Sequence, residues 1–198
     1  MNGESISYLS LISCCLGICS VVLASRRNIL TFAFGFAQVL TYTYLCWTQR
    51  FYGEIAINAY YFGTMVYGVF VWKKRLRLND GRMAVEPRSL QPAVIALIAV
   101  ITLLGSWLVG WILAGTNDTQ PYLDAFTTVP ALVAQVLMIL VYREHWFIWL
   151  AVDILSVILW IRAGDYFMVT QYTIWCANCV YGIISWRQTL TSSSKRLE

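Results

Sequence analysis

Seven apolar stretches take up most of this 198-residue chain, over residues 6–24, 29–48, 54–72, 91–114, 123–142, 146–162 and 166–186. They leave the chain few ways to fold. Each is close to the ~20 residues that an α-helix needs to cross ~30 Å of hydrocarbon, and about twice what a membrane strand needs. In lipid, every backbone N–H and C=O has to find its partner inside the protein, so a spanning stretch of this length reads as a helix. Only 12% of the residues are charged and 59% are hydrophobic, whereas soluble domains carry about a quarter charged residues. The expected fold is all-α and integral to the membrane, with seven transmembrane helices.

A repeat lies across those stretches. Val66-Tyr67-Gly68-Val69-Phe70-Val71-Trp72-Lys73 and Val180-Tyr181-Gly182-Ile183-Ile184-Ser185-Trp186-Arg187 share the pattern V-Y-G-x-x-x-W-(K/R), with Val180 standing 114 residues after Val66. At the same spacing Tyr52 meets Tyr166 and Tyr61 meets Trp175. One apolar stretch has no counterpart, so the chain divides into a first three-helix unit (1–72), a connecting loop (73–90), a linker helix (91–114) and a second three-helix unit with a short tail (115–198). An odd number of spans between the copies lets both units run the same way through one bilayer, a 3+1+3 parallel repeat.

The basic residues give a direction. Lys73, Lys74, Arg75, Arg77, Arg82 and Arg88 gather in the loop after the third stretch, while the next loop, Gly115 to Pro121, has none. Positive charge stays on the cytoplasmic side. Arg26, Arg27, Arg143, Arg187, Lys195 and Arg196 fall on that side by alternation; Arg50 and Arg162 fall outside, with Glu54 and Asp165 nearby. The N-terminus is therefore expected outside and the C-terminus inside. The formal charge of +4 is a topology signal rather than a nucleic-acid surface, and the 73–90 loop reads as a solvated linker. Met1 to Ser5 carries no basic residue, which argues against a cleaved signal peptide. Trp72 and Trp186, each followed by a base, read as interfacial anchors, and Gly68 and Gly182 as points of close helix packing. His145, between Arg143 and Trp146, reads as an exposed loop residue. All six cysteines lie in apolar stretches and read as small hydrophobes, including the pair Cys176 and Cys179, which lacks the strand context of a redox motif.

Polar side chains inside spans have to face a cavity or another helix. Helical spacing gathers Trp146, Trp149 and Asp153 on one face of the sixth stretch, and Gln171, Trp175, Asn178 and Gly182 on one face of the seventh. In the third, Asn58, Tyr61, Met65, Gly68 and Trp72 line up, while the fifth adds Gln135 and the second Gln38, Tyr42 and the more peripheral Trp47. Tryptophan and tyrosine faces stack on flat rings and attract delocalised cations, amides match hydroxyls and carboxamides, and Asp153 can balance a positive ring. Such a lining suits a flat, polar, cationic solute. Other roles stay open: Trp146 as an interfacial anchor, and Asn58 and Asn178 as bridges between helices. Asp124, at the start of its stretch, reads as a cap or interfacial residue. Zincin, nucleophile-elbow and phosphate-loop motifs are absent, so neither an enzyme nor a cofactor or metal site is expected. A seven-helix receptor is the rival class, against which the repeat and the short loops argue.

The stretch from Asp124-Ala125-Phe126-Thr127-Thr128 through Gln135, then Arg143-Glu144-His145-Trp146-Phe147-Ile148-Trp149-Leu150-Ala151-Val152-Asp153, and the ending Gly182-x-x-x-Trp186 resemble the PnuC family of bacterial vitamin transporters, which are SWEET-like in plan. The resemblance covers nearly the whole chain. It implies an inner-membrane transporter for nicotinamide riboside, with thiamine and then riboflavin as alternatives. It also implies facilitated diffusion by alternating access, trapping of the solute by a cytoplasmic kinase, and assembly as a homotrimer. The family's ligand residues fall here on Trp146, Trp149, Asp153, Gln171, Trp175 and Asn178, with Gln135. Asn58 departs from the glutamine that many members carry in the third span, which leaves the choice of vitamin open.

Overall fold

The computed structural model describes residues 3–49, 52–78, 84–116, 120–164 and 166–194. These form seven helices: α1 (Gly3–Ser25), α2 (Thr31–Gln49), α3 (Tyr52–Leu78), α4 (Pro92–Leu113), α5 (Pro121–Ile139), α6 (His145–Ala163) and α7 (Tyr166–Ser194). Five carry windows apolar enough to cross a bilayer: Tyr8–Ser25, Ile55–Leu76, Pro92–Leu113, Pro121–Ile139 and His145–Arg162. The other two, α2 and α7, are long enough but are diluted by Gln38, Thr41, Tyr42, Thr43 and Tyr44 in one and by Gln171, Tyr172, Thr173 and Asn178 in the other. Both are among the helices expected to carry polar site residues. Arg50, Arg82, Asp165, Lys195 and Arg196 fall outside the described residues, as do the side chains of Glu54 and Arg77.

The chain forms two compact units, Met1–Glu86 and Pro87–Glu198. In the first, α2 packs against both α1 and α3; in the second, α5 packs against α4 and α6, and α6 against α7. Element boundaries follow the 114-residue spacing. His145 and Ala163 bound α6 as Thr31 and Gln49 bound α2, Tyr166 opens α7 as Tyr52 opens α3, and α1 and α5 end at Ser25 and Ile139.

The turns that follow α1 and α5 are built alike. Arg27 has φ 61° and its counterpart Val141 has φ 66°. In each turn an amide reaches back five residues, Asn28 N to Leu23 O at 2.9 Å and Tyr142 N to Leu137 O at 2.9 Å. This is the bonding of a Schellman cap, whose left-handed position usually holds glycine. A non-glycine residue there costs about 1–2 kcal/mol, so neighbouring structure has to hold it. The segment between α3 and α4 does so. Val85 N donates to Arg27 O at 3.1 Å, Arg88 N donates to Val141 O at 2.8 Å, and Arg143 N donates to Arg88 O at 2.9 Å.

Residues 84–89 are not the solvated linker expected over 73–90, and four of its six bases, Lys73, Lys74, Arg75 and Arg77, lie in the last turns of α3. Val85 is fully buried and Pro87 is buried, Arg88 stacks over the Tyr142 ring at 5.0 Å, and Ser89 Oγ donates to Glu144 Oε1 at 2.8 Å. Glu144 also meets Arg143 Nε at 3.2 Å.

The tryptophans of the repeated phrase are core residues rather than interfacial anchors. Trp72 and Trp186 are both 0% exposed. Trp72 meets Phe32 edge-on at 5.1 Å, and Trp186 meets Trp146, the residue 114 positions after Phe32, at 6.0 Å. His145 is likewise 0% exposed rather than a loop residue. Its Nδ1 lies 2.6 Å from Tyr142 O, and its ring sits 4.5 Å from Trp146 and 4.7 Å from Trp186. Gly182 is a close-packing point, as expected: a Cβ there would fall 2.5 Å from Trp146 Cε2. In α4, Thr102, Ser106 and Gly110 are buried at a four-residue spacing, with Gly110 against Tyr122. The opposite face, with Leu103, Leu104, Trp107 and Trp111, is exposed and suits lipid.

Candidate functional site

Most of the candidate residues fall in the second unit. On α6 the buried positions His145, Trp146, Val152, Asp153 and Ser156 make one helical stripe, with Trp149 half-buried on the same side. On α7 the fully buried positions are Cys179, Gly182 and Trp186, at i, i+3 and i+7, with Trp175 one turn before Cys179. Gln171, Trp175 and Asn178 are half-buried. Gln135 is buried on α5, which packs directly on α6. The first unit holds Asn58, which is buried, and Tyr61, which is half-buried with its ring 5.8 Å from Tyr60. Trp47 is 66% exposed, at the edge of its helix as its peripheral place in the sequence suggested. Asp124 lies in the first turn of α5, where a carboxylate complements the helix dipole.

Asp153 is 3% exposed in a helix apolar enough to span the membrane. An uncompensated carboxylate there is costly. Among the described residues its carboxylate accepts one hydrogen bond, from Cys179 Sγ to Oδ2 at 3.3 Å, and the ion pair found elsewhere in this unit, Arg143–Glu144, does not involve it. Cys179 is thus more than the small hydrophobe its sequence context suggests. Its position four residues after Trp175 and three before Gly182 was the available signal, because those offsets share one helix face. All six cysteines are free thiols.

Two indole donors face the same problem from the other side. Trp146 Nε1 and Trp175 Nε1 are buried and have no hydrogen-bond partner among the described residues. A buried donor left unmade costs about 1–3 kcal/mol. Trp175 is further fixed by an edge-on contact with Tyr172, centroids 5.0 Å apart. The second unit therefore carries a carboxylate without a counter-charge, two unspent indole N–H groups, and the amides Gln135, Gln171 and Asn178.

Several of these positions have apolar counterparts in the first unit. Counting back 114 residues, Trp149 falls on Gly35, Asp153 on Val39, Cys179 on Met65 and Gln135 on Val21. Val39 and Met65 are buried, and a Cβ on Gly35 would meet Met65 Sδ at 2.9 Å. The places of Asp153 and Cys179 are thus taken by buried apolar side chains in the first unit.

Known proteins match this chain over most of its length. Residues 7–188 match the family described as nicotinamide mononucleotide transporter. The nicotinamide riboside transporter PnuC of Haemophilus influenzae is 33% identical over 181 residues, which is 91% of this chain and 79% of that protein. The protein of the same name from Neisseria mucosa is 31% identical over 198 residues, covering 95% of this chain and 75% of that one. A crystal structure of the vitamin B3 transporter PnuC superposes with a TM-score of 0.77 at 30% identity, covering 94% of this chain and 83% of that one. With bacterial transporter relatives and several helices apolar enough to span a bilayer, this is a multi-pass protein of the bacterial inner membrane, and it belongs to the nicotinamide mononucleotide transporter family, as PnuC does.

Proposed function

We propose that this chain takes up nicotinamide riboside by facilitated diffusion, through alternating access at an aromatic and amide site. The observation that carries the reading is the buried Asp153, which has no counter-charge among the described residues and shares its helix with Trp149. Its carboxylate balances the pyridinium ring while tryptophan faces stack on it. The indole N–H groups and the amides of Gln135, Gln171 and Asn178 have the right chemistry for ribose hydroxyls and the carboxamide. The names of the relatives supply the same substrate. Thiamine is the second reading, because its cationic ring would meet the same carboxylate and indoles.

The arrangement belonging to this proposal is a 3+1+3 parallel repeat with the N-terminus outside and the C-terminus inside. Lys73, Lys74 and Arg75 at the end of α3 and the lack of bases between Gly115 and Pro121 support that orientation. With no ion-driven step, net uptake comes from a cytoplasmic kinase that phosphorylates and so retains the solute. The exposed apolar surface of α4 is compatible with lipid and with assembly as a homotrimer.

The test is uptake by purified protein in liposomes, offering nicotinamide riboside, thiamine and riboflavin in competition without an ion gradient. Nicotinamide riboside should enter down its own gradient and be displaced by excess unlabelled compound. Binding without flux would favour a receptor, and neither binding nor flux for any of the three would end the proposal. Trp149→Ala and Asn178→Ala should each abolish high-affinity binding while the protein still elutes as a single folded species. Unchanged affinity in both would return those residues to packing roles.

A further inference from the structure

The hydrogen bond between Cys179 and Asp153 is unexpected on energetic grounds. A thiol is a weak donor, and a buried carboxylate ordinarily draws amides, hydroxyls or a guanidinium. Here the one donor bonded to it among the described residues is Sγ of Cys179, at 3.3 Å, from a side chain that is itself buried. Packing does not require the pair, because Val39 and Met65 occupy the corresponding places in the first unit and are buried there without any polar group. A weak donor nevertheless has one advantage over a strong one. It fixes the direction of Oδ2 without neutralising the carboxylate, as a cationic donor would, and leaves Oδ1 with no hydrogen-bond partner among the described residues.

We propose that Cys179 is a positioning residue that sets the preference of this transporter for a positively charged substrate, by orienting the Asp153 carboxylate toward it. The proposal rests on the reading of Asp153 as the counter-charge to a cationic ring. Cys179 itself does not touch the substrate. On the same face of α7, Trp175 lies one turn before it and Gly182, closed against Trp146, one turn after. The buried thiol is placed to steer the carboxylate.

The experiment compares a cation with an uncharged ligand of nearly the same shape. Binding of nicotinamide riboside and of its dihydro form, which lacks the ring charge, is measured on purified wild type, Cys179→Ala, Cys179→Ser and Cys179→Met, each checked for folding by its elution profile. Cys179→Ala should weaken the cation by about tenfold and change the dihydro compound by less than about threefold. Cys179→Ser, whose hydroxyl donates, should restore most of the preference, and Cys179→Met, which places the first unit's residue here, should behave like Cys179→Ala. In an Asp153→Asn background the effect of Cys179→Ala should vanish. Equal losses for both ligands, or an undiminished effect in the Asp153→Asn background, would show a packing role and overturn the proposal. So would an unchanged cation preference in a folded Cys179→Ala or Cys179→Met protein. Should wild type bind thiamine and not nicotinamide riboside, the substrate reading fails, while this proposal is judged on thiamine against its uncharged oxidation product thiochrome.

Discussion

Gly182→Ala adds one methyl group and should destabilise the protein, whereas the same change at Gly63 should not. At Gly182 the new Cβ would lie 2.5, 2.6 and 2.8 Å from Cε2, Cδ2 and Cε3 of Trp146. Carbon atoms in contact sit about 3.5–4.0 Å apart, so the indole would have to retreat by about 1 Å. It has nowhere to go. Trp146 is 2% exposed and is boxed in by His145 and Trp186, both fully buried. Over-packing of this kind costs about 1–3 kcal/mol, against a gain of about 0.8–1 kcal/mol for alanine over glycine in a helix. The strain wins by about 1 kcal/mol. At Gly63 no atom lies within 4 Å of the added carbon, so only the helical gain remains.

The assay is thermal loss of the monodisperse elution peak in detergent, measured for wild type and both variants. Gly182→Ala should melt lower by about 2–4 °C, and Gly63→Ala at or above wild type. Trp146→Phe provides the internal check, since its smaller ring withdraws from the contact. In that background Gly182→Ala should lose most of its cost, giving a coupling within the 0.5–3 kcal/mol seen for touching residues. A Gly182→Ala protein as stable as Gly63→Ala would refute the packing argument, and with it the assignment of Gly182 as the seat of Trp146.

Other changes probe the rest of the frame. Trp72→Ala and Trp186→Ala should each cost about 3–5 kcal/mol and deplete folded protein on expression, whereas truncating an interfacial anchor would leave the yield nearly unchanged. Val85→Asp, which places a carboxylate at a fully buried position, should lower thermal stability by several kcal/mol, while Glu86→Lys at the exposed neighbouring residue should leave the melting temperature within error. Gly110→Ala should behave as Gly182→Ala does, because its Cβ would fall 2.5 Å from Tyr122 Cδ1 and 3.2 Å from the Tyr122 backbone; a melting temperature equal to wild type would show that α4 and α5 can part there.

Number and order of the helices were legible because length, hydropathy and charge punctuation are one-dimensional signals, but α3 and α7 run on to Leu78 and Ser194, past the expected ends at 72 and 186. The face of α3 was legible for the same reason: Asn58, Met65, Gly68 and Trp72 are all buried, as a 3.6-residue period requires. What a single helix cannot reveal is which neighbour covers a residue. Trp72-Lys73 and Trp186-Arg187 have the local signature of interfacial anchors, yet Phe32 and Trp146 from the preceding helices enclose the two rings. His145 stands beside Arg143 and Glu144 and looks like a loop residue, yet it opens α6 between two indoles. In the connector, six bases concealed the short apolar piece around Val85 and Pro87 whose backbone caps the turns. The missing information in each case is a contact between elements distant in sequence.

The repeat was the one signal that could have supplied those contacts. Phe32 and Trp146 stand 114 residues apart, as do Trp72 and Trp186, so a ring pair in one unit implies a ring pair in the other. The same comparison then works in reverse at the candidate site. Val39 and Met65, which stand 114 residues before Asp153 and Cys179, are buried as those residues are. Burying a carboxylate and a thiol at the same places costs stability that Val39 and Met65 do not. That cost is consistent with the binding role proposed for Asp153. Asn58, buried in the first unit, corresponds by the same 114-residue spacing to Tyr172. Read this way, the positions where the copies disagree, Val39 with Asp153, Met65 with Cys179, Thr64 with Asn178 and Asn58 with Tyr172, are where substitutions should alter the substrate before they alter the fold.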